Sequence, residues 1–278
     1  MALTLEILIA TMYQTDLSFL DRMFSKNDHF SNYNLLIVNQ TDEDKLLESP
    51  YPNVRVINSY KRGSPESRNL AINNAQHDIC LMADDDIVYE FGFAEKIITA
   101  YENTPEADLI SFEAINEFNE PYANYFPKGL HSKKSLRTIY TWVISFRRSV
   151  FIDHNIYFNH YFGVGSEFHG ETEIIFLRKA FDKGVNMHHM NETIVMHNDE
   201  SSGRFMGSDN ALYARSAAAH HFYGNLSYIW LLKYVLFILR HKYISFKQVI
   251  AKFKIGLKGI SKYKDLVRTG EIDKIYGD

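Results

Sequence analysis

The chain has 278 residues, a hydrophobic fraction of 46% and a net charge of −4, enough to bury one large α/β core with a modest extension and too apolar for a disordered or fibrous chain. Its single cysteine, Cys80, excludes an internal disulfide framework and a cysteine metal cluster, which suits a reducing compartment. The charge is uneven: from Ala211 onward there are 12 Lys and Arg against 4 Asp and Glu, a surplus of 8, so the preceding 210 residues must carry −12.

The first residues, Met1 to Ala10, lack a basic stretch and are interrupted by Glu6, so they read as a first strand and not as a signal peptide. That strand is expected at Leu5–Thr11, followed by a helix at Asp16–Phe24, strands at Tyr33–Asn39 and Val54–Asn58, and a helix at Pro65–Ala75. The apolar run Asp78–Ala83, with Cys80 in the core, reads as a fourth strand that runs directly into Asp84-Asp85-Asp86; a helix at Phe93–Tyr101 and a strand at Ala107–Phe112 follow. This alternation predicts an α/β fold with a doubly wound, mostly parallel sheet. Ligands bind such sheets at the carboxyl ends of the strands, where Thr11, Asn39-Gln40 and the three aspartates fall.

Glu113–Lys134 shows little periodicity and is expected as a loop, Ile139–Phe151 as a strand entering a short helix, and Glu171–Lys183 as a helix stopped by Gly184. His188-His189 is expected at the surface. From Asn210 the chain reads as helical, basic and aromatic. The predicted division is a catalytic domain over 1–210 and a helical extension over 211–278.

Three adjacent carboxylates repel one another unless solvated or bound to a cation, and carboxylates with a diphosphate make an octahedral site for Mn²⁺ or Mg²⁺. Taken alone, the triplet reads equally well as a solvated acidic turn. Lys61-Arg62-Gly63-Ser64-Pro65-Glu66-Ser67-Arg68-Asn69 is a glycine turn opening a helix between basic residues, which suits phosphate but, taken alone, reads better as a basic surface loop with a proline-started helix.

The order Gly63, Arg68-Asn69, amphipathic helix, apolar strand, Asp84-Asp85-Asp86 resembles the family 2 glycosyltransferases. The resemblance implies a nucleotide-binding fold of the GT-A type. It implies that the Asp-rich motif holds the ribose and a divalent cation, with Asp84 toward the nucleoside, Asp85 between, and Asp86 on the metal. Phe162-Gly163-Val164-Gly165-Ser166-Glu167-Phe168-His169-Gly170-Glu171-Thr172-Glu173 is similar to the acceptor-side segment of that family, where a glycine-rich loop leads to an acidic pair opening a helix. Aligned through Ile175-Phe176-Leu177, the catalytic base falls on Glu173 and Thr172 departs from the pattern; aligned through Gly170, Glu171 becomes the first acid. On the residues alone, both acids equally complement a helix dipole. Val195-Met196-His197, followed by Asn198-Asp199-Glu200-Ser201-Ser202-Gly203-Arg204, also resembles the family, whose histidine there completes the metal shell or touches the diphosphate.

The resemblance covers roughly Leu5 to Arg204. It implies an inverting, metal-dependent transfer from a nucleotide-diphospho-sugar, a UDP-sugar, to a saccharide or lipid-linked saccharide hydroxyl, in surface polysaccharide or glycoconjugate synthesis. Thr11, Asn39, Arg62, Arg68, Asn69, Asp84 and Asp85 would then bind the donor, with Asp86 and His197 on the metal. The Gln-x-x-Arg-Trp signature of processive synthases is absent, which points to single additions. A sugar nucleotidyltransferase, which needs a glycine-rich loop after the first strand where Thr11-Met12-Tyr13-Gln14 stands, and a non-catalytic nucleotide-sugar or saccharide-binding scaffold are the alternatives. Leu226–Leu239 is shorter than the ~20 residues of a membrane span. With the lysines that follow, it reads as an interfacial helix at an anionic membrane, or as a helix packed on the catalytic domain with its lysines reaching solvent. Nothing in the body reads as a nucleic-acid binder. The expected location is cytoplasmic, at the inner face of the plasma membrane.

Overall fold

The computed structural model describes residues 2–198 and 206–273. The strands are β1 (Leu5–Met12), β2 (Asn34–Gln40), β3 (Val54–Ser59), β4 (Ile79–Asp84), β5 (Val88–Tyr89), β6 (Leu109–Ile115), β7 (Gly129–Leu130), β8 (Ile144–Arg147) and β9 (Met187–Met196). They form one mixed sheet in the order β3-β2-β1-β4-β8-β6-β9-β5, with β7 paired to β9. The pairs among β3, β2, β1 and β4, and the pair β6–β9, are parallel. β8 enters antiparallel between β4 and β6, and β5 and β7 are antiparallel to β9. The helices are α1 (Ser18–Met23), α2 (Ser64–Asn74), α3 (Phe93–Asn103), α4 (Arg148–Asp153), α5 (Thr172–Asp182), α6 (Asp209–Tyr223), α7 (Ser227–Arg240) and α8 (Val249–Arg268).

The central strands read as unbroken apolar runs because both of their faces are covered. Glu6, inside β1, is fully buried and is neutralised there: Arg55 lies 2.6 Å from Oε1, and the Gln76 backbone N–H donates to Oε2. The segment expected as a loop, Glu113–Lys134, is partly ordered as strand, since β6 runs on to Ile115 and β7 adds a short rung on β9. Gly184 stops α5 as expected, with φ +82° and its N–H donating to Phe181 O while Val185 N–H donates to Ala180 O.

The chain divides into two compact units. One comprises the described residues up to Arg62, Glu66–Tyr157 and the sheet's remaining strand and helix residues from Phe176. The other comprises Gly63–Pro65, Phe158–Ile175 and the described residues from 206 onward. Relative to a division at residue 210, the second unit also takes in Phe158–Ile175, because Phe162, Phe168 and Ile175 pack with Ala214, Ala217, Ala218, Tyr263, Leu266 and Ile272. Within it α6 and α8 approach closely through small residues: a Cβ on Gly259 would fall on the Tyr213 carbonyl oxygen. A second cluster joins Leu212, Leu231, Val235, Ile238, Ile244 and Ile260. Buried Lys252 is held by Asp209 at 2.6 Å and by the Gly207 carbonyl oxygen.

Candidate active site

In the sheet unit, parallel register gathers the expected polar residues at one edge. Thr11 pairs with Asn39, Asn39 with Asn58, and Ala10 with Asp84. The three aspartates that follow β4 then part company. Asp84 is ion-paired with Arg68 at 2.8 Å, and Arg68 and Asn69 are both buried in the first half of α2. Asp85 Oδ2 accepts from the Thr11 hydroxyl and from Gln14 Nε2, and its backbone carbonyl accepts from Arg22 at 2.9 Å. Asp86 is the exposed member and faces His197. Like-charge repulsion within the triplet is thus relieved by sending each carboxylate to a different partner.

Backbone pairing produces the third of these contacts. Val88 lies opposite Met196 in the antiparallel β5–β9 ladder, so the chain two residues before Val88 arrives beside the end of β9. The His197 ring Nδ1 is 2.6 Å from the Asn198 carbonyl oxygen, which can only accept, so Nδ1 carries a hydrogen. A neutral ring then turns an Nε2 lone pair, and a protonated ring an N–H, toward Asp86 Oδ1, 3.4 Å away. Two acceptors facing each other require a proton or a cation between them. The hydrogen bond to His197 lowers the Asp86 pKa against the opposing effect of burial. Burial works against a charged His197, but the hydrogen bond and charge of Asp86 outweigh it, and the ring's pKa is raised. The ring's plane is fixed by aromatics: Trp142 stacks on it with centroids 4.9 Å apart, Tyr140 stacks on Trp142 at 5.2 Å, and Tyr122 meets all three edge-on.

Asn39 is fully buried and its amide is occupied: Oδ1 accepts from the Gln14 N–H, and Nδ2 donates to the Gln14 carbonyl and to Asn58. It shapes the segment after β1. That segment bends at Tyr13, whose φ of +58° is left-handed and rare for a bulky side chain. The bend exposes the Tyr13 ring, with Arg62 4.9 Å and Lys45 5.5 Å from its centroid. Arg62 also donates to the Tyr13 hydroxyl and the Thr41 carbonyl and pairs with Asp42.

In the second unit the two glycine turns come together. Ser64 N–H donates to the Val164 carbonyl at 2.8 Å, a Cβ on Gly165 would lie 3.0 Å from Gly63 Cα, and a Cβ on Gly163 would strike the Ser64 hydroxyl. Glu171 sits immediately before α5 with φ +60°, and its carboxylate accepts from Arg215 Nε at 3.0 Å. Arg215 also bonds the Tyr234 hydroxyl, which donates to the Met206 carbonyl. Glu173 lies in the first turn of α5. Thr172, where the family pattern has an acid, is buried and its hydroxyl has no hydrogen-bond partner among the described residues.

Tyr13, Trp142 and Arg215 escaped the sequence reading. A tyrosine after β1 and an aromatic stretch at Tyr140-Thr141-Trp142 were visible signals; nothing local connects Arg215 to Glu171, 44 residues away. The expectation that His188-His189 lies at the surface is corrected: His188 is half-buried, and His189 is buried in the sheet with Nδ1 2.9 Å from the Ser111 hydroxyl. Strand β9 continues through both residues, and alternation sends one of them inward. The turn Ser201-Ser202-Gly203-Arg204 lies outside the described residues.

The mixed sheet with covering helices makes the chain an α/β protein. The family described as Glycosyl transferase family 2 matches residues 17–222, and the chain belongs to it; it is a glycosyltransferase. Among solved structures, S. aureus TarS 1–349 aligns at TM-score 0.55 and 12% identity, covering 98% of this chain and 93% of that one. The same protein in complex with UDP-GlcNAc aligns at TM-score 0.57 and 9% identity, with the same coverage. At these identities the likeness concerns the fold, which is of the GT-A type. No curated protein is matched by the sequence.

Proposed function

We propose that the chain moves a sugar from a UDP-sugar to a hydroxyl of a saccharide or lipid-linked saccharide, with inversion, during surface polysaccharide or glycoconjugate synthesis at the cytoplasmic face of the membrane. Crystals of structurally similar TarS hold UDP-GlcNAc and UDP, which supports a uridine donor. The observation that carries the reading is the Asp86–His197 pair, with Oδ1 and Nε2 3.4 Å apart. Adjacent ligands on an octahedral ion stand about 3 Å apart, so the pair fits Mn²⁺ or Mg²⁺. Among the described residues no group of three or more His, Cys, Asp or Glu forms a metal cage. A cation held by two side chains and completed by the donor's phosphates is the usual arrangement for Mg²⁺. When bound, the cation supplies charge stabilisation for the departing diphosphate.

The chain's own groups do the rest. The exposed Tyr13 ring, with Arg62 and Lys45 over it, is the aromatic group that would meet the base. Asp85, fixed by Thr11 and Gln14, and Asp84, fixed by Arg68, frame the ribose side, while Asn39 holds Gln14 in place. Glu173 takes the acceptor proton as the acceptor oxygen bonds to the anomeric carbon and the bond from that carbon to the phosphate oxygen breaks, the electron pair leaving on the diphosphate. Glu171, committed to Arg215, sets the turn that carries Glu173.

Calorimetry of UDP binding with and without Mn²⁺ tests the reading. Asp86→Asn is expected to abolish the Mn²⁺-dependent gain in affinity, and His197→Ala to reduce it about tenfold or more. Equal Mn²⁺ enhancement in wild type and Asp86→Asn would refute the assignment.

A further inference from the structure

We propose that α7 and the turn after it form a docking surface for an anionic lipid bilayer. This deepens the proposed function by giving the enzyme a route to a lipid-linked acceptor, and its purpose rests on that reading.

The buried face of α7 is Leu231, Val235 and Ile238. A helix on a soluble surface would then present polar residues outward. Here the outward stripe is Ile229, Leu232 and Leu236, at helical spacing and each more than half exposed. The apolar surface resumes beyond the helix at Phe246 and Ile250, 82% and 72% exposed. By composition the stretch Asp209–Arg240 is long and apolar enough to cross a membrane, and only 22% of its apolar window is buried. The backbone argues against crossing: Gly224, with φ +53° and ψ −130°, separates α6 from α7. The 14 residues of α7 reach about 21 Å, short of the ~30 Å hydrocarbon core. A short helix with an exposed apolar stripe lies in the interface plane.

Charge selects the partner. Between residues 210 and 264 there are ten Lys and Arg and no Asp or Glu. Lys233 flanks the stripe, and Arg240, Lys242 and Lys247 are exposed between α7 and the start of α8. Anionic headgroups complement that set. A second copy of the same surface does not, because it would bring uncompensated cations together.

Flotation of the full chain with mixed phosphatidylcholine–phosphatidylglycerol vesicles, and with pure phosphatidylcholine vesicles, at low and high salt tests the inference. Binding is expected to favour the anionic vesicles and to fall but persist at high salt, since salt screens the lysines and not the apolar contact. Lys233→Gln, Lys242→Gln and Lys247→Gln should each weaken anionic-vesicle binding about fivefold. The pair Leu232→Ser and Leu236→Ser, on the solvent side, should weaken it about tenfold or more on both vesicle types while thermal unfolding stays unchanged. Absence of vesicle binding by the wild-type chain would overturn the proposal, as would equal flotation of the serine pair. Concentration-dependent self-association abolished by the serine pair, without vesicle binding, would assign the face to a second copy instead. UDP binding measured on the same samples separates the two readings: vesicle binding without UDP binding leaves the docking surface standing and removes the donor assignment.

Discussion

The buried histidines of the sheet make the stability of this protein depend on pH in a way that can be worked out in advance. His131 bonds the Ser111 hydroxyl through Nε2 at 2.8 Å and the Ser135 hydroxyl through Nδ1 at 2.9 Å, beside the buried ring of His189. Burial, helped by the neighbouring His189 and His188, pushes its pKa from 6.5 down to about 4. His189 is lowered too, chiefly by burial, with Glu113 opposing. Above pH 6.5 the folded and unfolded chains both keep His131 neutral, and it contributes nothing to the pH dependence. As the pH falls below that value the unfolded chain takes up a proton that the folded chain refuses. Stability is therefore lost from about pH 6.5 downward, by about 2 kcal/mol at pH 5 and about 3 kcal/mol by pH 4 from His131 alone. The loss levels off once the folded ring also protonates. Urea unfolding at about pH 7.5 and pH 5 measures it directly. His131→Gln removes the titration and keeps a side chain able to bond both hydroxyls, so its loss between the two pH values should be smaller than that of wild type by about 2 kcal/mol. An identical loss in the two proteins would show that the buried ring is not the source.

Three further outcomes follow from the geometry. Glu173→Gln should slow transfer by about 10²–10⁴-fold with donor affinity unchanged; a larger loss in Glu171→Gln than in Glu173→Gln, in steady-state assays of both, would move the base to Glu171. Trp142→Leu should weaken Mn²⁺-dependent UDP binding several-fold while Trp142→Phe, which keeps a stacking ring on His197, should not, and calorimetry that finds both variants alike would remove Trp142 from any positioning role. Gly259→Ala should lower the melting temperature markedly, because its methyl group must displace the Tyr213 backbone and part α6 from α8, at a cost of about 1–3 kcal/mol or more.

The local pattern was enough for most of the fold. Apolar runs such as Ile79-Cys80-Leu81-Met82 and the glycine after α5 announce their own elements, because strand burial and helix capping act within a few residues. The strand-end cluster of Thr11, Asn39 and Asp84 was also legible, since parallel strands with helical crossovers must bring their carboxyl ends to one edge. Periodicity could not reveal that β8 runs antiparallel in the middle of the sheet, nor that β9 passes through His188 and His189, because strand direction and order are set by partners distant in sequence. The same limit governs the site. Three consecutive aspartates look equivalent in the sequence. Only tertiary structure gives Asp84 to Arg68, Asp85 to Thr11 and Asp86 to His197, which lies 111 positions further on and is brought there by the pairing of β5 with β9. Glu171 and Glu173 likewise look alike until the fold sets Glu171 just before α5 beside Arg215 and Glu173 in the first turn of that helix. Residue type and spacing determine which chemistry a chain can hold; long-range pairing decides which neighbours each of several identical groups receives.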